Sequence, residues 1–353
     1  MVTTAEPATG LRSTAVRNPG HGESFTDHMI VMDWSEERGW TRPELTGLQN
    51  LSIHPAMIGL HYGQVAFEGL KAHRRADGAM GVWRPVDHAL RFQRSCRRLA
   101  MPELSVDTFV AVIDQLVGVD KDALSDDPSH SIYLRPLMFA TDTTLMLGPS
   151  RTYRFLLMAF VAGGFFGDSV ESVSVYVSHD FSRAFPGGTG DVKIAGNYAP
   201  SFLAQRQAEA AGCRQVVWLD ARERRYIEEM GGMNLFLVRG DRVITPQLTG
   251  TVLPGVTRDT VLTLARRLGY DTSEERISLD DWRAECASGV VTEVFACGTA
   301  AVVTPVGRVC DADGDFTIAA TRPGPVTLAL RKALTDLHHG LAADPNAWLH
   351  HCR

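Results

Sequence analysis

A glycine-rich stretch near the middle of the chain, GGFFGDSVES from Gly163 to Ser172, constrains the fold more than any other feature. Glycine loosens the backbone and interrupts helix and strand alike, so 163–172 reads as an interdomain loop. On both sides of it, short apolar runs of strand character alternate with helical stretches, without regular strand–helix–strand winding. SIYLRPLMFA, YRFLLMAFVA, VSVYVS, QVVWL, YIEEM and VVTEVFACGTAAVVTPVGRV read as strands and hairpins. One helix is expected to start after Asp87 as N-cap, and VDTFVAVIDQLVG forms a second, closed by Gly118. Another runs from about Pro200 to Ala211, with Gly212 as left-handed cap; Ser278 and Asp281 open the next in capping-box spacing. PVTLALRKALTDLHHG is expected to close the chain as a terminal helix. The pattern is α+β in two parts: a flexible leader at 1–22, an N-terminal domain at 23–162 and a C-terminal domain at 173–353. At 353 residues and 44% hydrophobic content, the chain can bury the cores this needs.

Charge and cysteine usage exclude several roles. The net charge is −6 and the arginines are scattered among acids, which argues against a nucleic-acid partner. The opening MVTTAEPATGLRST has no apolar core, so it does not read as a signal peptide. FLLMAFVAGGFF is too short and glycine-broken to span a bilayer, so no membrane is expected. Cys96, Cys213, Cys286, Cys297, Cys310 and Cys352 show no metal-ligand spacing and read as free thiols of a cytoplasmic protein. His338–His339 and His350–His351 have no Cys or acid at ligand spacing and read as solvated; no metal is expected.

Of 35 basic residues only four are lysines. Arginine is a permanent cation, whereas a desolvated lysine can lose its proton and become a nucleophile. Lys71 borders a turn-like surface stretch, Lys121 sits among acids, and Lys332 lies on the polar face of the terminal helix. Lys193 instead lies in RAFPGGTGDVKIAGNYAPS, after Pro186, Gly187, Gly188 and Gly190, which would let backbone approach a ligand closely. A Walker-type phosphate loop fits poorly, because Lys193 stands three residues past Gly190 and is followed by Ile194. On scarcity alone, Lys193 is either a loop lysine or an amine with chemistry to do.

That segment, followed by EEMGGMNLF, closely resembles branched-chain amino acid aminotransferases of the fold-type IV pyridoxal-phosphate group. FTDHMIVMDW, LHYGQVAFEGLKAHR, RFQRSCRRLAMP, IYLRP, LPGVTRDTVLTLA and VTEVFACGTAAVVTPV follow in the family's order. The resemblance implies a smaller N-terminal α/β domain and a larger C-terminal domain built on a pseudo-barrel. It also implies pyridoxal 5'-phosphate as cofactor, a homodimer, and transamination of leucine, isoleucine and valine with 2-oxoglutarate to give 2-oxo acids and glutamate.

By the same resemblance, Lys193 forms the Schiff base with the cofactor aldehyde and shuttles the proton of the substrate Cα. A glutamate faces the pyridine nitrogen. Aligning on MGGMN selects Glu229; counting from the lysine without insertion selects Glu228. In strand YIEEM the two point to opposite faces, so one enters the site and the other is expected to be solvated; the nearer motif favours Glu229. Arg91 is implied to bind the phosphate, with Thr299 and the amides of Val256 and Thr257; Thr257 is also open to a plain capping role. Tyr198 is implied to bond the cofactor's phenolic oxygen. Substrate recognition falls to Phe25, Tyr62, Phe67, Tyr133, Arg135, Thr299 and Ala300, an aromatic set suited to branched side chains with Arg135 and Tyr62 as donors for the second carboxylate of glutamate. Without the resemblance Phe25, Tyr62 and Phe67 would read as core aromatics.

The thiol pair that animal members carry after the Gly-Thr-Ala turn is replaced by Ala301 and Thr304, and Gly232 replaces a threonine. Three alternatives remain: a D-amino acid transaminase or aminodeoxychorismate lyase of the same group, a specialised biosynthetic aminotransferase, and a non-catalytic phosphate-ligand-binding protein.

Overall fold

The computed structural model describes residues 15–17, 19–166, 170–318 and 322–352. The expected leader at 1–22 and loop at 163–172 therefore lie partly outside the described residues. The chain divides into two compact units, Met1–Phe165 with Asp344–Arg353, and Phe166–Ala343. The first contains β1 (Ser24–Ser35), β2 (Gly39–Trp40), β3 (Glu44–Gly47), α1 (Ile58–Tyr62), β4 (Val65–Phe67), β5 (Leu70–Arg74) and β6 (Met80–Trp83). It continues with α2 (Pro85–Arg98), α3 (Val106–Asp120), β7 (Ser131–Ala140) and β8 (Thr152–Ala162). The second unit holds β9 (Val173–Ser178), α4 (Phe202–Ala210), β10 (Gln215–Leu219), β11 (Ile227–Met230), β12 (Met233–Arg239) and β13 (Arg242–Pro246). After these come α5 (Val256–Arg267), β14 (Asp271–Glu275), α6 (Leu279–Ser288), β15 (Val291–Gly298), β16 (Val302–Cys310), β17 (Phe316–Thr317) and α7 (Pro325–His338). The last strand, β18 (Leu349–His351), belongs to the first unit.

In the first unit the strands run β18-β6-β5-β7-β8-β1-β2, with β3 on β1 and β4 on β7. Phe92 and Cys96 of α2 and Phe109, Ile113 and Leu116 of α3 pack with Ile132, Leu134 and Met138 of β7 in one buried cluster. Alternation along β7 sends Tyr133 and Arg135 to the opposite face. There the register lines up Lys71, Tyr133, Phe160 and Phe25 across four strands. Lys71 is thus a buried strand residue, 6% exposed, and not the surface lysine its neighbours AHRRADG suggest.

Two helix boundaries differ from the sequence reading. α2 starts at Pro85, with Arg84 as N-cap in the left-handed region (φ 49°). Asp87, expected as the cap, lies in the first turn and accepts from Arg84 Nε at 2.8 Å. α3 runs through Gly118 to Asp120; its N-cap Ser105 accepts from the Thr108 N–H at 3.1 Å. The chain does not end on α7: β18 pairs antiparallel with β6, Leu349 opposite Trp83. The final residues so join the first unit, where the sequence reading ran the second domain to 353. His350 and His338 are likewise not simply solvated. His350 Nε2 lies 2.8 Å from Asp114 Oδ1, and His338 is 7% exposed.

In the second unit β9, β10, β11, β12, β15 and β16 close on themselves, because β11 pairs with both β10 and β12 and β16 returns to β9. β13 and β14 extend this barrel from β12, and β17 from β16. Closure removes sheet edges, and the fully buried Val175, Val217, Leu235, Leu237, Phe236 and Phe295 occupy its strands. The α+β pseudo-barrel architecture expected from the sequence is present.

Candidate active site

Lys193 is fixed by its own loop. Val192 and Ile194 are buried (3% and 5% exposed), which anchors the chain on both sides of the half-buried lysine. Asn197 Nδ2 donates to the Thr189 and Val192 carbonyls at 2.7 and 2.9 Å, and Thr189 Oγ1 donates to Asn197 Oδ1 at 2.7 Å. Gly190 allows a close approach, but to the chain itself: a Cβ there would stand 2.3 Å from the Thr251 carbonyl oxygen. The turn Ala195–Asn197 then brings Tyr198 back, so that Lys193 Nζ donates to Tyr198 Oη at 2.9 Å.

Glu229 and Glu228 sit on opposite faces of β11. Glu229 is 1% exposed; its Oε1 accepts from Arg183 Nη2 at 3.1 Å and from the Leu253 N–H, and Oε2 accepts from no group among the described residues. Burial pushes the Glu229 carboxyl upward, opposed by Arg183, the Leu253 amide and the charge of Lys193. Glu228 is also buried, 5% exposed, and accepts from Thr251 Oγ1. The expectation that the second glutamate is solvated is therefore corrected: the segment that carries Thr251 and Leu253 reaches both carboxyls of β11. Burial raises the Glu228 carboxyl too, opposed by the Thr251 hydroxyl and Arg183 and reinforced by the charges of Glu229 and Asp220.

From Glu229 the chain leads to an anion-ready helix end. Leu253, whose N–H holds Glu229, also gives its carbonyl to Asn234 Nδ2 at 3.0 Å, and Asn234 is register partner of Glu229. Gly255, the N-cap of α5, packs so tightly that a Cβ would lie 2.1 Å from Asn234 Oδ1. Val256 and Thr257 are thus the first two helical residues, each 7% exposed, and Gly255 holds the capping position that Thr257 was open to. Their amides lie at the positive end of the helix dipole. Thr299 and Ala300 form the β15–β16 turn, both half-buried. Arg331 Nη1 donates to the Val303 carbonyl at 2.7 Å, and Val302 takes a left-handed φ of 60°, rare for a β-branched residue.

The other expected site residues lie in the first unit. Arg91 is 6% exposed; Nε and Nη2 donate to Glu68 at 2.6 and 2.8 Å, and His88 Nδ1 lies 2.9 Å from the same carboxylate. Against the upward push of complete burial, Arg91 and His88 hold Glu68 well below the usual carboxylate range. Arg97, on the same helix, is exposed and pairs with Glu103. Phe25 and Tyr62 are not core aromatics: they are 40% and 48% exposed, and Tyr62 Oη donates to the Leu145 carbonyl at 2.8 Å. Arg135 Cζ lies 5.1 Å from the Phe67 ring and 5.4 Å from the Tyr133 ring, with no carboxylate partner among the described residues.

Sequence reasoning gave no role to Glu68, Arg183, Asn197 or Arg331. Glu68 had one usable signal, a lone acid in the apolar run QVAFEGL that a buried arginine would need. Arg183 and Asn197 flank the lysine, but which carboxylate and carbonyls they serve is set by chain distant from them.

The model of the amino-transferase class IV family matches residues 66–309. A probable branched-chain-amino-acid aminotransferase of Streptomyces coelicolor is 50% identical over 96% of this chain and 94% of that protein. The branched-chain-amino-acid aminotransferase of Mycolicibacterium smegmatis is 48% identical, covering 97% of this chain and 95% of that one. Among solved structures, the Escherichia coli branched-chain amino acid aminotransferase is similar at TM-score 0.77 and 28% identity, covering 91% of this chain and 99% of the other. A second branched-chain amino acid aminotransferase, solved as a complex with N-(5'-phosphopyridoxyl)-L-glutamate, is similar at TM-score 0.75 and 26% identity, covering 91% and 98%. Matched by the family model over 66–309 and by relatives along nearly its whole length, the chain belongs to the amino-transferase class IV family.

Proposed function

We propose that this protein is a branched-chain-amino-acid transaminase that uses pyridoxal 5'-phosphate to move the amino group of leucine, isoleucine or valine to 2-oxoglutarate. One observation carries the reading: Lys193 Nζ is held by Tyr198, and its charge acts on a buried carboxyl, Glu229, one oxygen of which accepts from no group among the described residues. The relatives described above carry the same activity in their names, and one of the similar solved structures holds the phosphopyridoxyl-glutamate adduct.

The donor set fits the cofactor. Glu229 Oε2 suits a protonated ring nitrogen, the α5 amides of Val256 and Thr257 with Thr299 suit a phosphate dianion, and Lys193 suits an aldehyde. When bound, pyridoxal phosphate supplies that aldehyde and a cationic ring that accepts electrons from the substrate Cα. Lys193 would hold the cofactor aldehyde through Nζ, and its amine is the group that would take the Cα proton and return it. Tyr198 orients Nζ and would offer its hydroxyl to the phenolic oxygen. Arg183 and the Leu253 amide oppose the upward push of burial on Glu229, the carboxyl that would receive the ring nitrogen. Arg91, fixed by Glu68, is assigned to the phosphate. Phe25, Tyr62, Phe67 and Tyr133 are assigned to the branched side chain, Arg135 to the second carboxylate of glutamate, and Thr299 and Ala300 to the substrate carboxylate. A homodimer and a cytoplasmic location belong to the same reading; among the described residues no helix is long and apolar enough to cross a membrane.

The test is an amino-donor panel on holoenzyme, following the cofactor absorbance, with borohydride reduction and peptide mapping. L-Leucine, L-isoleucine and L-valine are expected to discharge the band, and borohydride to fix the cofactor on Lys193. A response confined to D-alanine or to aminodeoxychorismate would transfer the protein to those reactions. A colourless protein whose Lys193 stays unmodified would end the enzymatic reading.

A further inference from the structure

We propose that Cys213 and Cys310 form an oxidisable pair, an intramolecular disulfide site within the barrel unit. Their Sγ atoms are 2.9 Å apart although the residues are 97 positions distant in sequence. They are the only two cysteine thiols hydrogen-bonded to one another among the described residues. The nearest sulfur partner of Cys96, by contrast, is the Met138 thioether at 4.0 Å.

The surroundings hold the two sulfurs together. Cys213 follows α4, and its N–H donates to the Ala208 carbonyl at 2.8 Å, which fixes the turn. Cys310 ends β16 opposite Tyr176 of β9. Both are buried (3% and 5% exposed) in a cluster with Ala204, Ala208, Val216 and Trp218. Alanines on that face of α4 leave the sulfurs facing each other. A disulfide has its sulfurs about 2.05 Å apart, so forming it needs an approach of under about 1 Å, within reach of small side-chain rotations.

The step balances as a two-electron oxidation. Each thiol gives up one proton and one electron, an S–S bond forms, and a small oxidant takes both hydrogens; diamide becomes the hydrazine, or a low-molecular-weight disulfide becomes two thiols. Burial and the neighbouring Cys310 thiol push the Cys213 thiol up to about 12. Thiolate is therefore scarce near neutrality, and oxidation is slow and accelerates with pH. The bond would tether the helix that follows Tyr198 to the strand that leaves the Thr299–Ala301 turn. It closes a long loop within one unit, which favours stabilisation over rearrangement.

The experiment treats holoenzyme with diamide, quenches in acid, and counts thiols in denaturant beside non-reducing peptide mapping. The expected result is a fall from six thiols to four, a 213–310 cross-linked peptide two hydrogens lighter than its parts, faster loss at higher pH, and a melting temperature raised by on the order of 5 °C. Cys213→Ala and Cys310→Ala should each keep five thiols and show no oxidant-dependent rise in melting temperature. Because Cys213→Ser would bury an unpaired hydroxyl, the alanine variants and the wild-type peptide map carry the test. Six thiols after prolonged treatment, or a cross-link through any other cysteine, would overturn the proposal.

Discussion

Lys193 Nζ and Tyr198 Oη, five residues apart, are joined by a 2.9 Å hydrogen bond because the turn Ala195–Asn197 folds the chain back on itself. The amine is thereby aimed before any substrate arrives. Tyr198→Phe removes that aim and keeps the ring. One net hydrogen bond is worth about 1 kcal/mol, so kcat is expected to fall roughly five- to tenfold, while borohydride still labels Lys193. A kcat equal to wild type in steady-state assays would show that the hydroxyl does not act on the amine.

Glu229→Gln and Glu228→Gln separate the two faces of β11. Glu229→Gln removes the carboxyl proposed to receive the ring nitrogen, and kcat is expected to drop by about 10²–10³-fold. Glu228→Gln disturbs only the contact with Thr251. It is expected to cost about 1–3 kcal/mol in urea unfolding with kcat near wild type. The reverse pattern would move the ring-nitrogen contact to Glu228.

Glu68→Gln breaks a buried ion pair and leaves Arg91 with an uncompensated charge. The loss expected in denaturant unfolding is about 3–5 kcal/mol, with weaker cofactor retention on dialysis because Arg91 is no longer fixed. Since the fold holds Glu68 below its ordinary range, its contribution is present above the unfolded carboxylate pKa and is lost as pH falls beneath it. The Gln variant should therefore be less acid-sensitive in relative terms. Unchanged unfolding at neutral pH would refute the role given to the pair.

His21 adds a pH effect of its own. Its ring meets those of Phe165, Phe160 and Tyr133 edge-on at 4.8, 5.3 and 5.6 Å. Burial, then Lys71, then Arg135 lower its pKa from 6.5 to about 4. The unfolded chain takes up the proton first, so stability from this group is complete above 6.5 and declines as pH falls toward 4. His21→Phe should flatten that part of the melting-temperature profile. Parallel profiles for the two proteins across that window would count against it.

Local pattern made much of the scaffold legible. Strands such as SIYLRPLMFA and the hairpin NLFLVRGDRVITP have two-residue alternation and turn chemistry that need no distant partner to be read. The unusual lysine stood out for the same reason, since its scarcity and its glycine-rich setting are properties of the sequence alone. What the sequence left open were long-range choices. It could not show that Glu228 is buried as well as Glu229, that Lys71 lies inside a sheet, or that Arg91 is gripped by Glu68.

By itself, the sequence determined most of the strand and helix segments and set its rare lysine apart, because those depend on side-chain type and on periodicity between near neighbours. Only the tertiary structure decided that both glutamates of β11 are buried, where the last strand pairs, and that two distant sulfurs lie 2.9 Å apart. Those outcomes follow from barrel closure and sheet register, which bring together groups far apart along the chain.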